Sequence, residues 1–159
     1  MLFIQRLCTA LHETEVKFAI VGGHAVAFHG APRGTLDIDF VISWTPENLL
    51  SMYAALTKLG LESRQPVEAI DVYQFRHEYV EKRGLISWNF FNPADYSENV
   101  DVVINFDLDP NDIMPLDVGE VQVPVLKLDK LIEMKQNSSR DQDRFDLESL
   151  LAIQQRREL

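Results

Sequence analysis

Residues 18–42, FAIVGGHAVAFHGAPRGTLDIDFVI, restrict the fold more than any other part of the chain. The short apolar run Phe18-Ala-Ile-Val21 ends abruptly at Gly22-Gly23, which reads as a strand entering a glycine turn. An apolar-rich segment from His24 to His29 closes on Gly30, the composition of a short helix. A polar turn holding Pro32, Arg33, Gly34 and Thr35 then leads into Leu36-Asp-Ile-Asp-Phe-Val-Ile42, a second strand. Side chains alternate along a strand, so Asp37 and Asp39 leave the same face about 7 Å apart, with Ile38 and Phe40 on the other. Two acids on one face, beside a glycine turn that opens a helix, suit a divalent cation carrying a phosphorylated ligand. Two solvent-facing acids on a strand end are the plainer reading, weakened because Asp is depleted in strands.

The remaining pattern places helices around strands. Leu2, Ile4, Leu7, Cys8 and Leu11 recur at helical spacing over residues 2–14. Thr45-Pro46-Glu47 is a helix start, followed by the stripe Leu49, Leu50, Met52, Tyr53, Leu56 and Leu59 and a stop at Gly60. Residues 71–79 alternate well enough to be a strand, as do residues 85–91, which Asn92-Pro-Ala-Asp95 breaks. Residues 99–105 form an apolar strand interrupted by Asp101, residues 107–112 a loop, and residues 121–125 a short edge strand, because Pro124 cannot donate to a ladder. Residues 126–136 and 142–155 are helical, separated by a polar turn at 137–141. The early βαβα order indicates a sheet with helices packed on it.

Composition limits what this scaffold can serve. The 159 residues are 46% hydrophobic and 25% charged, enough for one domain (1–159) with a real core, its helical end at about 126–159 a possible loose lobe. The formal net charge of −10 argues against an extended nucleic-acid surface, so a polyanion must meet a local patch or a metal. A single cysteine, Cys8, allows no internal disulfide, and no apolar stretch approaches the roughly 20 residues of a membrane span. With no secretory signal recognisable at the N-terminus, the expected location is the cytoplasm.

Asp101 strengthens the metal reading, since a carboxylate inside an otherwise apolar strand needs a partner. Three acids from two neighbouring strands could hold two Mg²⁺ or Mn²⁺ ions, and no Cys/His cluster competes for zinc. A salt bridge to Arg33 or a structural hydrogen bond would also satisfy Asp101. Gly22 and Gly23 could let a phosphate approach backbone N–H groups, or could form a tight structural turn. Arg33 and Thr35 could contact phosphate oxygens, orient the carboxylates or end the loop. His24 could touch a phosphate or sit on a helix surface, and Lys135 could reach a triphosphate or snorkel. Trp88, Phe90 and Phe91 could stack on a base, with core packing favoured.

Gly22-Gly23, a helix ending at Gly30, then Arg33-x-Thr35-x-Asp37-x-Asp39 and later Val100-Asp101-Val102 resemble the DNA polymerase beta-like nucleotidyltransferase superfamily. The narrower resemblance is to its small bacterial members related to abortive-infection and toxin–antitoxin nucleotidyltransferases. Leu131-Ile132-x-x-Lys135, Arg140-x-x-Asp143 and Asp146 are similar to the Lys…Arg-x-Lys-Asp-x-x-Asp pattern that often closes that family. The resemblance covers roughly residues 16–151. It implies an α+β fold with an α/β-like start: a mixed, mostly antiparallel sheet flanked by helices, with a C-terminal helical segment. It also implies metal binding by Asp37, Asp39 and Asp101, help from Asp101 in deprotonating an acceptor hydroxyl, and a triphosphate cradled by Gly22-Gly23. Two positions depart from the pattern: Gly23 stands where many members have Ser, and Gln142 where a basic residue is usual.

The implied activity is transfer of a nucleoside monophosphate from a nucleoside triphosphate to a hydroxyl on an RNA end, a protein or a small molecule. The alternative is a catalytically inactive nucleotide- or partner-binding module of a two-protein system, with a cognate protein partner.

Overall fold

The computed structural model describes residues 1–31, 33–138 and 140–158; Pro32 and Ser139, which belong to two of the expected loops, lie outside the described residues. Seven strands form one mixed sheet in the order β3-β4-β5-β2-β1-β7-β6. They are β1 (Phe18–Val21), β2 (Ile38–Ile42), β3 (Glu62–Ser63), β4 (Ser87–Asn92), β5 (Asp95–Asp107), β6 (Ile113–Val118) and β7 (Val121–Leu126). Neighbours run antiparallel except at β1–β7 and β2–β5. The helices are α1 (Phe3–Glu13), α2 (Gly22–Phe28), α3 (Pro46–Lys58), α4 (Ala69–Gln74), α5 (Arg76–Glu81), α6 (Leu128–Gln136) and α7 (Asp141–Arg157). The architecture is the α+β arrangement expected, C-terminal helices included.

Alternation along β2, β4 and β5 separates a packed face from an open one. Ile38, Phe40, Trp88, Phe90, Val100, Val102 and Ile104 are buried, while Asp39, Ser87, Asn89, Asp101 and Val103 between them are only partly covered. On the packed side α3 lays Leu49, Met52 and Leu56 into the core, and its Tyr53 stacks on Trp88. Each such aliphatic side chain contributes about 1.5–3 kcal/mol by leaving water. The expected start of α3 is present: the Thr45 side chain accepts from the Asn48 backbone N–H, and Pro46 opens the helix. Asn48 is itself buried and fully used, accepting from Lys17 N and donating to the Lys17 and Ser43 carbonyls. It thereby ties the first turn of α3 to the ends of β1 and β2.

Three expectations are corrected. Residues 71–79 form no strand; they belong to α4 and α5, which meet at Phe75. Ala69, Val72 and Tyr73 lie on one helical face, and a segment this short carries both periodicities almost equally. Arg76 then anchors α5 to β5, donating to the Ile104 carbonyl at 2.6 Å and pairing with Asp107. Residues 121–125 are not at the edge: β7 lies between β1 and β6, and the unforeseen β6 is the outer strand. Pro124 is tolerated because it faces Pro115 across the ladder, so both missing donors fall on one rung. The strand expected at residues 99–105 is longer than its apolar run, since β5 begins at the hairpin with β4.

Candidate active site

One rung of the sheet carries the site. Val21 on β1 registers with Asp39 on β2, Asp39 with Asp101 on β5, and Asp101 with Asn89 on β4. Because in-register side chains of adjacent strands share a face, Asp39 and Asp101 are directly opposed, close enough for a hydrogen bond between the two carboxyl groups. Asn89 completes the row, its Nδ2 donating to Asp101 Oδ1 at 2.8 Å. The partner of Asp101 is therefore Asn89 and the neighbouring acid, not Arg33. Asn89 escaped the sequence reading, although a polar residue between Trp88 and Phe90 was its visible signal.

Asp37 behaves differently. It precedes the first residue of β2 and is exposed. Among the described residues, no three His, Cys, Asp or Glu side chains gather closely enough to hold a metal ion. The structure thus brings Asp39 and Asp101 together and leaves Asp37 at the rim.

Burial, then the Asp101 carboxylate, push the Asp39 carboxyl up to about 7; Asp37 adds to this and Lys135 opposes it. Two abutting carboxylates ask for a shared proton or a cation. The donors are hard oxygens, suited to Mg²⁺ or Mn²⁺, and such a cation would relieve the repulsion that lifts Asp39. Asp39 and Asp101 fit, by donor chemistry, two of the three acids that the resemblance implies for the metal, and Asp37 stands outside the pair.

The glycines have a use the sequence did not show. Gly22 sits at φ +66°, and a Cβ there would lie 2.0 Å from Asp39 Oδ2. A Cβ on Gly23 would meet Thr35 Cγ2 at 2.8 Å and Arg33 Cζ at 3.4 Å. The room freed by the two glycines is taken by side chains of the following loop and strand, which press against the start of α2. His24 lies on the same short helix; burial lowers its pKa, and its Nδ1 has no hydrogen-bond partner among the described residues.

Beside Asp39 opens a cavity of about 370 Å³ between the open face of β4–β5 and helix α6, with Ser87, Val103, Asn105, Met134 and Lys135 in its wall. Lys135 does not snorkel. It is buried and its Nζ lies 2.6 Å from Asp143 Oδ1 and 3.2 Å from Asp146 Oδ2. Burial alone would raise the Asp143 carboxyl, but hydrogen bonds from Arg140, Lys135 and Ser138 outweigh it and hold the group well below the usual carboxylate range. Arg33 is likewise paired, to Asp146 at 3.1 Å. Trp88 and Phe90 are core, as favoured, and face away from the cavity. A larger, shallower depression of about 680 Å³ lies beside Trp44 and Asn48, where the polar groups of Asn48 are already spent anchoring α3. No helix among the described residues is long and apolar enough to cross a membrane.

No protein-family model matches the sequence. No curated protein matches it either. Solved structures do resemble it. The antibiotic-resistance factor ANT(2'')-Ia superposes with a TM-score of 0.61 at 13% identity, over 95% of this chain and 80% of that one. The lincomycin-bound lincosamide antibiotic adenylyltransferase LnuA gives 0.55 at 12% identity, over 89% and 90%. An antigenic nucleotidyltransferase-like protein from Paracoccidioides brasiliensis gives 0.59 at 17% identity, over 94% and 72%. At these identities the likeness concerns architecture: the chain has the nucleotidyltransferase fold.

Proposed function

We propose that this chain is a metal-dependent nucleotidyltransferase, moving a nucleoside monophosphate from a nucleoside triphosphate to a hydroxyl on an RNA end, a protein or a small molecule. The observation that carries the reading is the opposed pair Asp39 and Asp101 on adjacent parallel strands, beside a glycine turn and at the edge of a ligand-sized cavity. The fold shared with an adenylyltransferase supports it.

In this reading Asp39 and Asp101 hold the cation, Asp37 joins them from the rim when a ligand is bound, and Gly22, Gly23 and His24 face the phosphates. Bound Mg²⁺ or Mn²⁺, two ions by the resemblance, supplies charge neutralisation on the phosphates and acidifies the attacking hydroxyl. Asn89 fixes one oxygen of Asp101 and so orients the carboxylate that receives the acceptor proton. The acceptor oxygen bonds to the α-phosphorus as the bond to the bridging oxygen breaks, and pyrophosphate leaves with its electron pair. Positioning and electrostatics provide most of the acceleration in such transfers. In this reading the chemistry takes place in the cytoplasm, and the chain has a cognate protein partner, as the narrower resemblance implies.

Incubation with labelled triphosphates, Mg²⁺ and cell extract tests the reading. Label should appear on an acceptor with the wild-type protein and vanish with Asp39→Asn plus Asp101→Asn. Equal labelling by that double variant would remove the acid pair from the mechanism.

A further inference from the structure

Asp146 is the most buried of the charged side chains described, with 1% of its side chain exposed, and it lies on neither acid-bearing strand. From the second turn of α7 it divides its oxygens between two distant parts of the chain. Oδ1 accepts from Arg33 Nε at 3.1 Å and from Gln142 Nε2 at 3.3 Å. Oδ2 makes an ion contact with Lys135 Nζ at 3.2 Å but receives no aimed hydrogen bond from the described residues. A buried carboxylate is costly unless paired, so its two cations are held there firmly.

One of those cations stands at the glycine turn that abuts Asp39, the other on the cavity that Asp39 borders. The Arg33 guanidinium lies against Gly23, where a Cβ would stand 3.4 Å from its Cζ. Lys135 lines the cavity that Asp39 borders. Arg33, Lys135 and Arg140 gather three cations around the carboxylates Asp143 and Asp146, in a chain whose net charge is −10. A local gathering of cations of this kind is what a polyanionic ligand needs on an acidic protein. Holding the cations in place beforehand spares the ligand the entropy of ordering them.

We propose that Asp146 is a positioning residue for a nucleoside triphosphate: it clamps Arg33 against the glycine turn and Lys135 on the cavity wall, so that both cations face the phosphates before the ligand arrives. The inference rests on the nucleotidyl-transfer reading and deepens it.

Binding of ATP, CTP, GTP and UTP, and of the matching monophosphates, is measured calorimetrically in Mg²⁺ for wild type, Asp146→Asn, Arg33→Gln and the double variant. For the triphosphate that wild type binds best, Asp146→Asn is expected to weaken affinity about ten- to a hundredfold, the scale for losing a group that orients a ligand-holding residue. The monophosphate should lose much less, and the double variant less than the product of the two single losses. Wild-type affinity in Asp146→Asn, losses that multiply in the double variant, or equal losses for mono- and triphosphate each overturn the clamp. Arg33→Lys, at a partly exposed side chain, keeps the charge and removes the guanidinium geometry. Undiminished triphosphate affinity there overturns the proposal even if Asp146→Asn does not fold. If wild type binds no triphosphate, nucleotidyl transfer itself fails and the clamp falls with it; binding by wild type and variant alike sinks the clamp alone.

Discussion

Two pairs of aspartates lie beside one cavity and are treated in opposite ways. Asp39 and Asp101 abut each other on the sheet, with Asn89 donating to one oxygen and Lys135 acting only from a distance, and the Asp39 carboxyl is pushed up to about 7. Asp143 and Asp146 share Lys135 and take Arg140 and Arg33 besides, and Asp143 is held well below its ordinary range. The second pair is already neutralised by the chain's own cations. The first is left in deficit, the condition in which a carboxylate pair takes up a proton or a cation.

The contrast can be broken most severely at the deficient pair. Asp39→Asn with Asp101→Asn should lower transfer at least about a thousandfold, the scale of removing a principal electrostatic group, while the protein stays folded; labelled-product assays and circular dichroism check both halves. Lys135→Met should also strike stability, by about 3 kcal/mol in urea titration, because it removes the buried cation that two buried carboxylates share and leaves Asp143 to Arg140 and Asp146 to Arg33.

Gly22→Ala should cost about 1–3 kcal/mol from its positive φ alone, and more because the new Cβ meets Asp39. A melting curve that matched wild type would remove the close approach from the account. A pH series then separates the two pairs by sign. Asp39 has a raised folded pKa, so the folded state binds its proton more tightly than the unfolded chain does. The stability this contributes is present below the ordinary carboxylate pKa and is lost as pH rises through about 7. Without added metal, Asp39→Asn should melt a few degrees above wild type past that pH, with the gain gone below about pH 4. Asp143, with its lowered pKa, contributes stability above the ordinary carboxylate range that disappears in acid. The smallest effect belongs to Arg140→Ala: that side chain is 78% exposed, so its ion pair should be worth about 0–1 kcal/mol.

The strand–turn–helix–strand segment was legible because glycines punctuate it and Ile38 and Phe40 mark the buried face beside Asp39. The helices at both ends showed themselves through caps and apolar spacing. Residues 69–81 did not, because two six-residue helices have too few turns to establish a period. The pairing of β7 with β1 is a tertiary fact, and Pro124 pointed the wrong way until Pro115 was known to face it. At the site, Asp39 and Asp101 could be singled out locally, whereas their registry required the parallel pairing of β2 with β5. The space made by Gly22 and Gly23 is filled from residues 33–39, and Arg33 finds Asp146 113 positions away. No local pattern encodes either.

The parallel β2–β5 pairing also separates what must stay constant from what is free to vary. Between Ile42 and Asp95 the chain departs from β2, builds α3, β3, α4, α5 and β4, and returns to lie beside the strand it left. A crossover of this length is far longer than parallel pairing demands. Within it α4 is held by the buried Val72 and α5 by Arg76, so a change of length is best tolerated at the exposed turn of residues 82–84 after α5, where the two acids keep their register.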